Sequence, residues 1–339
     1  MAIGTTSTYA PTNVFLEKSF LSRLNPRHCF AKYIKSATIP TKNSGTIEYG
    51  RIERIAPLTG ATSPNVKSYV EGIQPSDTSF TYTKIQITTA LYANVIRISE
   101  QVDLLNERAI LNQLVQLNAE NLSDLQDLII GANLNSGTQV YRLTDNIGGT
   151  SGAARTDVDG IINPVALDKA TNLFERNNCE PLTEAISASS NYSTSPIDAS
   201  WIAITHPDVA RDLRNMPGFI RVEEYSGGSK LDGEVGCYNR IRFVATTNAI
   251  RYLDAGGTVA GTRSNGGSAA DVYITLLLAK DAAVTVDVAS ALQVVMHSAN
   301  ETDKADWLGL ACGVGYKLRQ GAGILEDARI LRIESAATA

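Results

Sequence analysis

The sequence predicts an α+β fold. Strand-like and helix-like stretches mix along the chain without strict βαβ alternation. The strand-like stretches are dominated by Thr, Ile, Tyr and Val and lack helical periodicity. One stretch, residues 100–131, carries a clear 3-4 spaced apolar stripe. With 339 residues, 43% of them apolar and 19% charged, there is material for a large core and for two or three folding units.

Residues 1 to about 36 read as a polar, extended arm. Val14, Leu16, Phe20, Leu21 and Leu24 could line one short helical face before Asn25-Pro26 stops it. The start of the chain is basic. Over residues 1–54, eight cations (Lys18, Arg23, Arg27, Lys32, Lys35, Lys42, Arg51, Arg54) oppose Glu17, Glu48 and Glu53, a local charge of +5. The total is −5, so the remainder carries −10. Such an arm is either a solvated terminus or a segment that reaches acidic protein or nucleic acid.

Residues 46–56 and 80–99 read as two strands, joined by a link over 58–78 that is long for a compact domain. Glu48, Arg51, Glu53, Arg54 and Lys84 interrupt the Ile and Tyr positions, leaving polar groups on both faces. A lone two-stranded hairpin is marginal in water, so it needs a partner surface, from this chain or another.

Over residues 100–131, Leu104, Leu111, Val115, Leu122, Leu125 and Ile129 form the apolar stripe. Ser99 is a candidate N-cap and Gly131 a candidate C-cap. At 1.5 Å per residue the helix would be on the order of 45 Å long. It is strongly acidic, with Glu100, Asp103, Glu107, Glu120, Asp124 and Asp127 against Arg108 alone. One face stays open to solvent or to something basic. Further on, 164–178 and Pro207 to about Asn215 read as helices. Residues 201–205, 241–246, 272–279, 308–318 and 328–334 read as strands. The Ser/Thr-rich loop 187–196 and the Gly-rich loop 256–268 read as surface insertions. Trp201 and Trp307 read as core anchors.

Chemical motifs are sparse. The chain has three histidines, His28, His206 and His297, far apart in sequence. Its four cysteines form no C-x-x-C pair and read as reduced, packed thiols. P-loop, zincin and nucleophile-elbow patterns are absent. Gly313-Val-Gly315 and Gly321-Ala-Gly323 do not complete a dinucleotide fingerprint and read as turns or bulges. Asp157-Val-Asp159-Gly160 lacks the Glu of a calcium loop and reads as a helix N-cap before Ile161. His206-Pro207-Asp208 sits at a strand-to-helix corner, where a His more often caps a turn than serves a site. No apolar run approaches the ~20 residues of a membrane helix. Residues 1–11 do not read as a secretory signal. The mild acidity argues against a dedicated duplex-DNA reader. No cofactor, metal or catalytic group is expected. What remains is an interaction protein with an exposed hairpin, a basic arm and a long acidic helix.

Several stretches resemble the major capsid proteins of tailed bacteriophages, in the family of the coliphage N-four capsid protein, which has the Hong Kong 97-type shell fold. Residues 71–76, EGIQPS, resemble its Glu-Gly-Val-x-Pro-Ser signature. Residues 206–219, HPDVARDLRNMPGF, resemble its His-Pro-Asp helix start. Residues 233–249, GEVGCYNRIRFVATTNA, are similar to its most characteristic run, and Gly309 to Lys317 to its closing strand region. The resemblance covers about residues 40–334. The link at 58–70 and the loops at 187–200 and 256–270 look longer than the family pattern.

The resemblance implies an N-terminal arm over 1–37 and an extended loop with flanking strands over 38–99. It implies a peripheral domain over 100–159 with its spine helix at 100–131, and an axial domain over 160–325. A C-terminal strand and tail over 326–339 would return to the peripheral domain. Inter-subunit contacts would come from Tyr49, Arg51, Arg54, Lys67, Glu71 and Lys84 of the extended loop. The arm, through Lys18, Arg23, Arg27 and Lys32, would contact either a spine helix, at Glu100, Asp103, Glu107, Glu120, Asp124 and Asp127, or DNA. Arg221, Glu223, Glu224 and Lys230 would lie in an axial-domain loop. The implied partners are copies of the chain in pentamers and hexamers, a separate scaffolding protein, a portal protein, an optional decoration protein and packaged double-stranded DNA, with no membrane. The implied location is the virion capsid, assembled in the host bacterial cytoplasm. Alternatives are an encapsulin-like nanocompartment shell and, less well supported, a hydrolase at the His206 corner.

Overall fold

The computed structural model describes residues 23, 25–55, 58–59, 63–64, 71–74, 79–101, 110–144, 151–183, 198–224, 230–259, 261–289, 292–297 and 310–339. The chain divides into two compact units. The smaller comprises Met1–Asn25, Ala93–Leu122 and Gln293–Lys317; the larger comprises Pro26–Tyr92, Ser123–Leu292 and Leu318–Ala339. In chain order the elements used below are β1 (Lys35–Ile39), β2 (Thr46–Ile52), β3 (Tyr82–Thr88), β4 (Ala90–Ser99), α1 (Ile110–Leu134), β5 (Val140–Arg142), α2 (Pro164–Arg176), β6 (Trp201–Thr205), α3 (Pro207–Arg214), β7 (Ile220–Arg221), β8 (Glu234–Tyr238), β9 (Ile241–Ala245), β10 (Arg251–Tyr252), β11 (Val272–Leu278), β12 (Ala283–Val288), β13 (Gln293–His297), β14 (Ala311–Ile324) and β15 (Ile330–Ser335).

The larger unit is built on a mixed sheet of order β5-β15-β11-β6-β9-β8-β7, with β10 paired to β11. The β15–β5 and β6–β9 pairs are parallel, and the β11 pairs are antiparallel. Both faces are covered, which is why WIAIT and VYITLLL read as continuous apolar runs rather than alternating ones. Trp201, Ala203, Phe243, Tyr273, Leu277, Leu331 and Ile333 pack with Leu167 and Phe174 of α2 and Val209 and Leu213 of α3. On the other face Ile202, Ile204, Val244, Ile274, Leu276, Leu278 and Ile330 pack with Phe30 and with Ile130 and Leu134 of α1. Each fully buried Ile or Leu stabilises the unit by roughly 1.5–3 kcal/mol. Helix α2 starts where the Asn163 side chain accepts the Ala166 N–H, with Pro164 at its first position.

A second, smaller core in the same unit seats the base of the hairpin. β12 lies between β1, parallel to it, and the second half of β14, antiparallel to it. Ile39, Val284 and Val286 of these strands cluster with Ile87 of β3, flanked by Ile47, Tyr49 and Ile85.

In the smaller unit β13 pairs antiparallel with the first half of β14, from Gln293↔Lys317 to His297↔Gly313. Asparagines fix the helix there. The side chain of Asn118, buried on α1, donates to the Val314 carbonyl at 2.8 Å, and Asn121 accepts from the Tyr316 hydroxyl at 2.6 Å.

Several expectations change. The long helix does not end at Gly131 but runs to Leu134. Gly131 lies inside it because the Phe30 ring packs there; a Cβ would sit 3.0 Å from that ring. Residues 102–109, with the expected stripe position Leu104, lie outside the described residues, as do the amphipathic arm stretch, Trp307 and the loop 187–196. The glycine pairs at 313–315 and 321–323 are not turns or bulges but lie within β14. A Cβ at Gly313 would meet the Ile96 carbonyl at 2.6 Å, and one at Gly321 the Thr88 carbonyl at 2.7 Å, so these glycines let another backbone pass close. Asp157 caps no helix before Ile161; its carboxylate accepts the Ala154 N–H at 2.9 Å in a single 3-10 turn. The Gly-rich loop keeps the exposed position expected of it and is anchored where Arg263 N–H donates to Ala337 C=O at 2.8 Å.

Residues 293–317, expected in the axial domain, belong to the same unit as 93–122. The C-terminal strand is β15 and lies between β5, from the stretch 100–159, and β11 of the main sheet. After it, Ala336 and Ala337 are fully buried. β1 starts at Lys35, and Cys29 and Phe30 before it are core residues.

Candidate assembly surfaces

The hairpin β2–β3 is in register from Thr46↔Thr88 to Ile52↔Tyr82. Its inner face follows period-2 alternation through Ile47, Tyr49, Ile85 and Ile87, and these four are the residues seated on β1 and β12. The expectation of a hairpin polar on both faces therefore holds only in part. Tyr49 is half-buried in this chain's own core. Arg51, on the same face, pairs with Glu53 at 2.8 Å and Glu326 at 3.2 Å. On the outer face Glu48 accepts from Gln86 at 2.9 Å and lies 3.5 Å from Lys84, and these contacts hold its carboxyl below the usual range. Arg54 and Glu71 are exposed, and Lys67 lies outside the described residues.

Beyond this seat the hairpin changes character. Ile52 is 65% exposed and Phe80 65%, and Tyr82, Ile55 and Ile73 are also exposed. Large apolar side chains left open at the far end of a ladder are a surface awaiting cover. Gly50 serves that end: the Tyr82 side chain folds over it into space that a Cβ would fill.

Basic residues near the start of the chain pair with acidic groups of the same chain. Arg23 binds Glu120 of α1 through two hydrogen bonds, 2.8 and 3.2 Å long. That pairing lowers the Glu120 carboxyl and raises the Arg23 guanidinium. Arg27 and Lys32 flank Asp232, at 3.5 and 2.8 Å. Asp127, counted as an open acidic position, is 2% exposed and accepts from the Phe30 N–H and from Asn248 Nδ2. Asp124 lies 3.6 Å from His28. Glu100 donates its N–H to the Leu310 carbonyl at 2.8 Å. Lys18, Asp103 and Glu107 lie outside the described residues.

Sequence reasoning missed how the run GEVGCYNRIRFVATTNA builds this region. Glu234 on β8 and Arg242 on β9 form a buried ion pair with two 2.6 Å bonds, and Glu234 also accepts the Leu231 N–H at 2.8 Å. Thr246 donates to the Arg27 carbonyl and accepts the Asn248 N–H at 3.2 Å. Gly233 has φ +80°, and the Arg27 side chain lies where its Cβ would be. The signal available in the sequence was a Glu and an Arg on adjacent strands otherwise apolar.

In the expected axial loop, Arg221 donates to the Arg214 carbonyl at 3.3 Å, Glu223 and Glu224 sit in an exposed 3-10 turn, and Lys230 is exposed. His206 is an N-cap: its Nδ1 accepts the Asp208 N–H at 3.2 Å, and burial lowers its basicity despite the nearby Asp208 carboxylate. An Nδ1 that accepts this bond is unprotonated, so the 3.2 Å approach of Asp208 is capping geometry and not an ion pair. All four cysteines are buried, and none lies in a disulfide. Among the described residues no cluster of His, Cys, Asp and Glu could hold a metal, and no helix is long and apolar enough to cross a membrane.

No protein-family model matches the chain, and no curated protein matches it. Solved structures do. The capsid of cyanophage P-SCSP1u aligns over 100% of this chain and 96% of its own, with a TM-score of 0.64 and 13% identity. The capsid of Ralstonia phage GP4 aligns over 97% of this chain and 96% of its own, at 0.64 and 11%. The SrpI encapsulin of Synechococcus elongatus PCC 7942 aligns over 99% and 97%, at 0.55 and 10%. The chain has the Hong Kong 97-type capsid fold over its full length.

Proposed function

We propose that this chain is the major capsid protein of a tailed bacteriophage, assembling into pentamers and hexamers that close an icosahedral head around double-stranded DNA. The full-length likeness to phage capsids carries the reading. The uncovered distal hairpin supports it, because Ile52, Phe80 and Tyr82 need a surface that a neighbouring copy would supply. In this reading β2 and β3 are the extended loop, the larger unit's main sheet is the axial domain and α1 is the spine helix. Repeated heterologous contacts close into rings, and many modest contacts together hold the shell. The motifs at 206–219 and 233–249 support placement near the coliphage N-four family. A separate scaffolding protein, a portal, an optional decoration protein and non-specific DNA contact complete the set of partners, in a virion assembled in the bacterial cytoplasm.

Electron microscopy of the full chain, expressed with and without its cognate scaffold, tests this. Closed icosahedral shells are expected, and a protein that stays monomeric under both conditions overturns the reading. A second reading, an encapsulin-like compartment, is favoured by the SrpI alignment. Particles that enclose protein cargo and no DNA during infection would select it.

A further inference from the structure

The Gly-rich loop carries the chain's only Asn-Gly pair, Asn265-Gly266. These are the central residues of a turn that Ser264 closes, its hydroxyl donating to the Gly267 carbonyl at 2.9 Å. Residues 263–268 are exposed. Gly266 has φ +107°, and a Cβ there would meet nothing within 4 Å, so the space around it is open. Asn265 is held through its backbone, its N–H donating to Asp254 Oδ1 at 3.2 Å. Among the described residues nothing accepts the Gly266 N–H and nothing binds the Asn265 carboxamide. An exposed carboxamide thus precedes an unblocked backbone nitrogen. Asn135-Ser136 shows the opposite case. Asn135 Nδ2 donates to the Tyr252 hydroxyl at 2.8 Å and its Oδ1 accepts from Arg332 at 3.2 Å, while the Ser136 N–H donates to the Asn133 carbonyl at 3.0 Å.

We propose that Asn265-Gly266 is a self-modification site, at which the chain converts Asn265 to an acidic residue and so loosens the loop it lies in. The Gly266 nitrogen forms a bond to the side-chain carbonyl carbon of Asn265, and the bond from that carbon to Nδ2 breaks. The proton of the Gly266 N–H passes through solvent and ends on the departing ammonia. Water then opens the resulting succinimide at one of its two carbonyls, which leaves Asp or isoaspartate at 265. Water is the co-reactant, and nothing is oxidised or reduced. Glycine suits this step because any side chain at 266 would crowd the attacking nitrogen. The new carboxylate belongs to the residue whose N–H binds Asp254, and like charges repel. Isoaspartate also lengthens the main chain by a methylene. The turn is tied to the sheet through Arg263, whose N–H donates to the Ala337 carbonyl and whose carbonyl accepts the Asp271 N–H, each at 2.8 Å. These bonds, next to the altered residue, are the ones that weaken. The modification goes beyond the shell reading and holds whether or not a shell forms.

Incubation of the purified full chain at mildly alkaline pH, followed by mass spectrometry of the tryptic peptide 264–280, tests it. Asn265 should show the mass gain of an NH exchanged for O, with isoaspartate read by isoaspartyl methyltransferase labelling. The rate should rise with pH, because the deprotonated nitrogen is the nucleophile. It should be close to the rate in urea, because the fold leaves the site open, whereas Asn135 should convert faster in urea than in the folded chain. Asn265→Gln and Gly266→Ala, both changes in an exposed turn, should each suppress the product. After conversion the Arg263 and Asp271 amides should lose hydrogen-exchange protection while those of β6 keep theirs. Conversion of Asn265 in urea but not in the folded chain overturns the proposal, and so does conversion of Gly266→Ala at the parent rate. Unchanged protection after conversion overturns the loosening.

Discussion

Arg242 and Glu234 offer the sharpest test of the energetics. The pair spans adjacent strands, with side-chain exposures of 4% and 0% and a 2.6 Å separation. Arg242→Met keeps most of the side-chain volume but leaves the Glu234 carboxylate buried without its guanidinium. Removing one partner of such a pair costs about 3–5 kcal/mol, because the remaining charge is uncompensated. That is a large fraction of the ~5–15 kcal/mol that keeps an ordinary domain folded. Replacing both residues, Arg242→Met with Glu234→Leu, removes the stranded charge and should return to within about 1 kcal/mol of the parent. Urea unfolding of the unassembled subunit, followed by circular dichroism, measures both. A single substitution costing less than about 1 kcal/mol, or a double substitution no better than the single, would refute the claim that desolvated charge sets the cost.

Three further outcomes follow from the same structure. Asp287 on β12 has a buried Oδ1 without a partner, and burial pushes its carboxyl up. The folded state therefore binds this proton more tightly than the unfolded chain, and stability falls as pH rises through the carboxylate range. Asp287→Asn should stabilise the subunit at pH 7, the gain shrinking as pH falls and vanishing only well below the unfolded carboxyl's ordinary value of 3.8, where it is protonated in both states, as thermal melts across pH would report. Gly313→Val places side-chain atoms against the Ile96 carbonyl, which as backbone cannot step aside; it should lower stability by about 1–3 kcal/mol in the same urea titration. Ile52→Asp, at an open position, should shift subunit stability by no more than about 0.5 kcal/mol yet abolish large particles in size-exclusion chromatography. Normal particle yield would show that the distal hairpin needs no cover.

The sequence disclosed elements wherever a single local pattern decided them. WIAIT and VYITLLL were legible because strands covered on both faces carry uninterrupted apolar residues. The helix 164–178 was legible because its buried stripe is regular. The short strands at 140–142 and 293–297 were not, since three to five residues carry too little pattern. The glycine pairs misled because their reason is tertiary: Gly313 and Gly321 answer to backbones more than 200 residues away in sequence. Gly131 misled in the same way, its neighbour being Phe30. The +5 charge over residues 1–54 could be counted from the sequence, but composition could not say that Asp232 takes Arg27 and Lys32 within the chain. Charge is additive along a sequence; pairing is settled by where the chain brings the groups.

The central claim is that the distal hairpin is completed by another copy of the chain. A high-resolution electron cryomicroscopy map of the assembled particle tests it directly. The account predicts a closed shell in which Ile52, Phe80 and Tyr82 are buried against a neighbouring subunit while Ile47, Tyr49, Ile85 and Ile87 stay on their own β1 and β12. A shell in which the distal hairpin remains in solvent, or a chain that forms no shell with its cognate scaffold, would contradict it.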